Sequence, residues 1–265
     1  MSEQREKSAD RPDEHEFEVI ETDHARQGVR HKGVYLLPNL ITTGALFAGF
    51  YAIVAAMNGQ FEYAAIAIVV AGILDGMDGS VARMTNTQSK FGAEYDSLSD
   101  CVAFGVAPGL VAYSWALTDL GKLGWAAAFI YVACAALRLA RFNVQAETSD
   151  KRYFTGLPSP SGAGLVATMV WLGAAKGIDG ADVGFLVAFV TASAGLLMVS
   201  SVRYQSFKEY HIGRVPVRAL LGVIIAFAIV VLDPPLVLLA VGVTYAGSGV
   251  ILDLVRRFRQ RGAAA

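Results

Sequence analysis

Four aspartates occupy places where a carboxylate is expensive: Asp75, Asp78, Asp96 and Asp100 stand in or beside long apolar stretches. An ionised Asp near the centre of a membrane helix costs about 2.5–3.5 kcal/mol on insertion scales, so such a cluster needs compensation. Asp75 and Asp78 are three residues apart and Asp96 and Asp100 four apart, so on helices each pair projects from one face. Carboxylates converging on one point repel one another, and hard divalent cations that prefer oxygen ligands (Mg²⁺, Mn²⁺ or Ca²⁺) remove the conflict. Two such ions about 3.5–4 Å apart can bridge a phosphate and stabilise both its attacking and leaving oxygens. Gly79 and Gly92 lie one turn from Asp75 and Asp96, where a backbone or ligand can come close. The acids alone leave two other readings open, an acidic helix–loop–helix at a membrane surface and a cation transporter.

The elements that must hold these acids are membrane helices. Hydrophobic residues make up 54% of the 265-residue chain and charged residues 17%, with a mean hydropathy of +0.46. Soluble domains average about 25% charged. Eight apolar runs are long enough to cross a bilayer or nearly so: 36–57, 61–79, 95–117, 123–144, 160–176, 183–201, 217–232 and 235–255. Turns at Asn58-Gly59, Asp119-Leu120-Gly121 and Asp233-Pro234-Pro235 separate some of them. Backbone polar groups in lipid need internal partners, so these runs are expected to be helical and the fold class all-α integral membrane. If the N-terminus is cytoplasmic, 20 of the 22 Lys and Arg residues fall on that side, leaving Lys122 and Lys176 opposite. That asymmetry places both termini, and the link between the second and third helices, in the cytoplasm. The two acidic faces then oppose each other on antiparallel neighbours.

Three regions are expected. Residues 1–35 form an acidic tail that becomes basic from His24 through Arg26, Arg30, His31 and Lys32, as a surface segment on anionic lipid or as an ordinary positive-inside flank. Residues 36–201 form a six-helix core, and residues 202–265 add two helices and a basic end. Cys101 and Cys134 lie in apolar segments without metal-ligand spacing and read as buried thiols. No secretory signal and no nucleic-acid partner are expected.

The run from Asp75 to Asp100 reads D-x-x-D-G-x-x-A-R-x₈-G-x-x-x-D-x-x-x-D. It resembles the signature of the CDP-alcohol phosphotransferase family at every fixed position. The resemblance implies a six-helix membrane core, a site for two divalent cations and a cytidine diphosphate pocket near the cytoplasmic interface. It also implies attack of a hydroxyl on a CDP-linked substrate with release of CMP. On that likeness Asp75, Asp78, Asp96 and Asp100 are metal ligands and Asp100 is also the general base. Gly79, Ala82 and Arg83 belong to the CDP pocket.

Three further segments are similar to the bacterial and archaeal branch of the family that takes serine as acceptor. They are Pro38-Asn39-Leu40-Ile41-Thr42-Thr43, Ala136-Leu137-Arg138-Leu139-Ala140-Arg141-Phe142-Asn143 and Phe154-Thr155-Gly156-Leu157-Pro158-Ser159-Pro160-Ser161-Gly162-Ala163. The partners implied are CDP-diacylglycerol, L-serine, CMP and membrane lipid, in a bacterial cytoplasmic membrane. Arg138 and Arg141 share a helix face, and guanidinium suits the carboxylate that serine brings or a phosphate. With Asn143 they are candidates for acceptor or phosphate binding, or the arginines simply snorkel to the interface. Asn39 and Thr42 are candidates for CDP binding or for contacts between helices. The last two helices, which carry no polar cluster, are expected to pack on the core or at a homodimer seam.

Overall fold

In a computed structural model of the chain, residues 36–85, 87, 89–145, 153–205 and 217–262 are described. The tail of residues 1–35, with its expected surface segment, lies outside them. Eight helices follow in order: α1 (Leu36–Met57), α2 (Phe61–Thr85), α3 (Lys90–Leu120), α4 (Lys122–Gln145), α5 (Ser159–Ala175), α6 (Gly180–Val199), α7 (Val217–Leu232) and α8 (Pro234–Gly262). Two three-residue strands, β1 (Tyr153–Thr155) and β2 (Arg203–Gln205), pair antiparallel with Phe154 opposite Tyr204. The expected all-α membrane architecture is therefore present. Among the described residues six helices are long and apolar enough to cross a bilayer, while α5 and α7 are shorter, at 17 and 16 residues.

Small residues set the packing. Ala45, Ala48, Ala52, Ala55 and Ala56 of α1 are buried, as are Ala64, Ala65, Ala67 and Ala71 of α2. Without a hydrophobic force between helices in lipid, such residues gain stability by letting backbones approach closely. A Cβ on Gly49 would sit 2.7 Å from the Ala103 Cα, so α1 and α3 touch backbone to backbone there. Large apolar side chains such as Phe47, Phe50, Ile73, Phe129, Phe185 and Phe189 are exposed on the outside of the bundle, where lipid replaces water.

Both motif-bearing helices extend beyond their expected limits. α2 continues past Gly79 to Thr85, and α3 begins at Lys90, where the Ser89 hydroxyl caps it by accepting from the Gly92 N–H at 3.0 Å. The whole acidic string therefore lies within helix apart from a short link. α3 is not uniform: it passes through π-helical turns at Cys101–Val106 and Tyr113–Leu117. Pro108 explains the first, because it has no N–H for the Phe104 carbonyl and its ring crowds that turn. The wider turn relieves the crowding, and the buried Tyr131 hydroxyl of α4 donates to the Phe104 carbonyl at 2.9 Å. This irregular turn starts one residue after Asp100.

Candidate functional site

The acids of α2 and α3 meet across the helix pair. Asp75, Asp78 and Asp96 each present a carboxylate oxygen, and these three atoms lie within 4.8 Å of one another. Hard oxygen donors at that separation fit a divalent cation. Asp78 is the deepest, only 4% exposed. The Thr42 hydroxyl of α1 sits 2.6 Å from Asp78 Oδ2 and 3.1 Å from the Pro38 carbonyl, and the Gly79 N–H also donates to the Asp78 carboxylate. Asp100 stands beside the triad. Its carboxyl is in hydrogen-bond contact with Asp75 and faces the charges of Asp96 and Arg138.

A cavity of about 1360 Å³ opens on this cluster. Asp75, Asp96, Ser97, Asp100 and Arg138 line its polar part, together with Ser159, Ser161 and Thr168 of α5. Its apolar wall comes from α2, α5, α7 and α8, including Ile68, Ile73, Leu165, Ile229 and Leu236. One chamber thus joins a carboxylate cluster to a lipid-like surface, which suits a substrate with a phosphate head and an apolar body.

The other sequence candidates divide. Arg138 lines the cavity at 9% exposure, donates from Nη1 to the Ser159 hydroxyl at 2.6 Å and lies 5.9 Å from the centre of the Phe142 ring. Its Nε is buried with no hydrogen-bond partner among the described residues. Arg141 is committed elsewhere: it donates to the carbonyls of Thr155 at 2.7 Å and Val199 at 3.0 Å, tying α4 to β1 and the end of α6. Asn143 accepts from the Ser97 hydroxyl at 3.1 Å, so it braces α3 on α4. The Asn39 amide oxygen lies over Gly92, where a Cβ would come within 3.3 Å of it. Arg83 folds back along α2 toward Gly79 and donates to Ser80 Oγ at 3.2 Å; Ala82, one turn beyond Asp78, is partly exposed.

Sequence reasoning passed over several residues here. Ser97 occupies a variable position inside the acidic string, and Ser159 stands between Pro158 and Pro160 at the start of α5. A polar residue inside an otherwise fixed motif was the available signal for the first. Tyr245 of α8 also lines the cavity, and a lone tyrosine in an apolar helix carried no signal at all.

The family model for CDP-alcohol phosphatidyltransferase matches residues 35–199. A CDP-diacylglycerol–serine O-phosphatidyltransferase of Helicobacter pylori is 44% identical over 177 residues, covering 66% of this chain and 74% of that one. The Mycobacterium tuberculosis protein of the same name is 35% identical over 228 residues, covering 83% of this chain and 78% of that one. An archaetidylserine synthase of Methanothermobacter thermautotrophicus is 34% identical over 170 residues, covering 63% of this chain and 69% of that one. With the signature acids gathered at the head of a lipid-sized cavity and the match spanning α1 to α6, the chain belongs to the CDP-alcohol phosphatidyltransferase family.

Proposed function

We propose that the protein transfers the phosphatidyl group of CDP-diacylglycerol to the hydroxyl of L-serine, giving phosphatidylserine and CMP. The observation that carries this reading is the shared chamber, in which carboxylates for a cation-bound diphosphate, a buried arginine and a lipid-like wall adjoin. The serine-specific names of its relatives support the choice of acceptor. Asp75, Asp78 and Asp96 would hold the divalent cations, with Asp100 completing the set. Two Mg²⁺ or Mn²⁺ ions, or Ca²⁺ in their place, would neutralise the diphosphate charge when bound.

The residues of the chain do the rest. Thr42 and the Gly79 N–H fix the Asp78 carboxylate. Asp100 takes the proton of the serine hydroxyl as its oxygen bonds to the phosphorus on the diacylglycerol side. The bond from that phosphorus to the bridging oxygen breaks, and CMP leaves with the oxygen and its electron pair. Arg138, which lines the chamber, offers its guanidinium to the serine carboxylate, a charge-assisted contact that a polyol acceptor cannot make. Gly79, Ala82 and Arg83, at the end of α2, and Asn39 border the nucleotide. Arg141 positions the β1 loop and Asn143 positions Ser97.

Residues 36–201 form the catalytic core and 202–265 an added pair of helices. The Lys and Arg asymmetry orients the site toward the cytoplasm of a bacterial inner membrane, and the two added helices offer a homodimer seam. The test is CMP release from CDP-diacylglycerol by purified protein with a panel of acceptors. Serine alone is expected to support turnover; turnover with glycerol phosphate, inositol phosphate or choline instead would overturn the acceptor assignment.

A further inference from the structure

A serine at the mouth of a helix ordinarily caps that helix's free N–H groups. Ser159, the first residue of α5, does something else. Pro158 is the cap residue and Pro160 has no N–H, while the Ser159 hydroxyl oxygen accepts from Arg138 Nη1 of α4 at 2.6 Å. Ser159 is fully buried, so its hydroxyl acts on a substrate only through the guanidinium it holds. Arg138 needs holding. It lines the chamber within electrostatic reach of Asp100 and Asp75. An arginine drawn onto those carboxylates would meet an incoming serine as a cation already paired, and the serine carboxylate would have to displace them. A guanidinium is planar, with its N–H groups in a fixed fork, so holding one of them sets the directions of the others. The Phe142 ring, 5.9 Å from the guanidinium carbon, restrains it further.

The chain leading into Ser159 is itself pinned. The Gly156 N–H donates to the Val202 carbonyl at 2.8 Å and the Leu157 N–H to the Leu197 carbonyl at 3.0 Å. Gly156 has φ +85°, and a Cβ there would collide with the Met198 carbonyl, so this turn requires glycine. Arg141, one turn along α4 from Arg138, holds the carbonyls of Thr155 and Val199. At the helix itself the Gly162 N–H donates to the Pro158 carbonyl at 3.0 Å. One arginine of α4 therefore secures the turn that presents Ser159, and Ser159 in turn secures the other arginine. Both ends of the Arg138–Ser159 contact stand on the same helix and the turn fastened to it.

We propose that Ser159 is the positioning residue of the acceptor site: its hydroxyl holds the Arg138 guanidinium ready for the carboxylate of the incoming amino acid and off the neighbouring aspartates. The inference rests on the serine reading above. Ser159→Ala removes the hydroxyl and adds no bulk. Steady-state kinetics and the thermal midpoint are measured on the purified full-length protein. Loss of one hydrogen bond to a charged group should raise the KM for serine about 10-fold or more. kcat and the KM for CDP-diacylglycerol should stay within about twofold, the signature of lost ground-state binding. The same change is then made on Arg138→Ala, with serine use read as the slope of rate against serine concentration. There Ser159→Ala should alter the slope by less than about twofold, because a residue that acts through Arg138 has nothing left to act on. An unchanged serine KM in Ser159→Ala would overturn the assignment. So would a parallel rise in both substrates' KM with a fallen thermal midpoint, or an equal loss with and without Arg138, since each marks a merely structural role. If the wild type forms no phosphatidylserine at all, the serine reading itself fails and this inference with it, a result distinct from any of those.

Discussion

Thr42→Val separates two roles for a residue that the sequence offers either to the nucleotide or to a contact between helices. Thr42 is 5% exposed and its hydroxyl lies 2.6 Å from Asp78 Oδ2. Valine keeps the β-branched shape, so α1 still packs, but Asp78 loses a donor and retains the Gly79 N–H. A hydrogen bond to a charged group is worth about 1.5–3 kcal/mol, or roughly 10- to 150-fold in an equilibrium constant. Groups that orient a metal ligand typically contribute 10–100-fold to metal affinity, which agrees in scale. The assay titrates Mg²⁺ or Mn²⁺ against turnover at saturating CDP-diacylglycerol and serine, after removal of metal with EDTA. The midpoint for metal activation should shift upward by about 10- to 100-fold, with kcat at saturating metal little changed. A wild-type midpoint would refute the role given to Thr42. A rise confined to the KM for CDP-diacylglycerol would return Thr42 to direct nucleotide binding.

Two further substitutions separate a residue of the chamber from one that braces its surroundings. Asp100→Asn should lower kcat by about 10²–10⁴-fold, the usual contribution of a general base, while CDP-diacylglycerol affinity on the same preparation falls much less; equal losses in both would make Asp100 chiefly a metal ligand. Arg141→Lys cannot hold the Thr155 and Val199 carbonyls in one fork, so it should lower the thermal midpoint in detergent and leave the ratio of serine to CDP-diacylglycerol KM unchanged; a selective rise in serine KM with a wild-type midpoint would mean that Arg141 contacts the acceptor.

The helical frame and the meeting of the two acid pairs were legible because both depend on spacing along one chain. Runs of apolar residues report helices in lipid, and i, i+3 and i, i+4 acids report a face. What spacing does not carry is rotation of one helix against another. The π-helical turn at Cys101–Val106 follows from Pro108 and from a Tyr131 hydroxyl 27 positions away from its acceptor, Phe104. Spacing also did not show that three of the acids, Asp75, Asp78 and Asp96, gather within 4.8 Å while Asp100 makes its contact with Asp75. Arg138 and Arg141 look equivalent in sequence, three apart on one face. They differ in structure because carbonyls of β1 and α6 meet one, while the other faces the chamber. The apolar run of α8 likewise gave no sign that Tyr245 lines the cavity, since that depends on the ring of Tyr204 occupying the space over Gly249.

Transfer to serine and its dependence on the acid cluster are tested together by a single paired measurement. Wild-type protein and Asp96→Asn, purified into vesicles containing CDP-diacylglycerol, are given labelled L-serine, and lipid-bound label and free CMP are counted together. Label and CMP should appear in equal amounts with the wild type, EDTA should stop both, and Asp96→Asn should form neither while still inserting into the membrane. CMP released without labelled lipid, or undiminished phosphatidylserine from Asp96→Asn, would contradict this expectation.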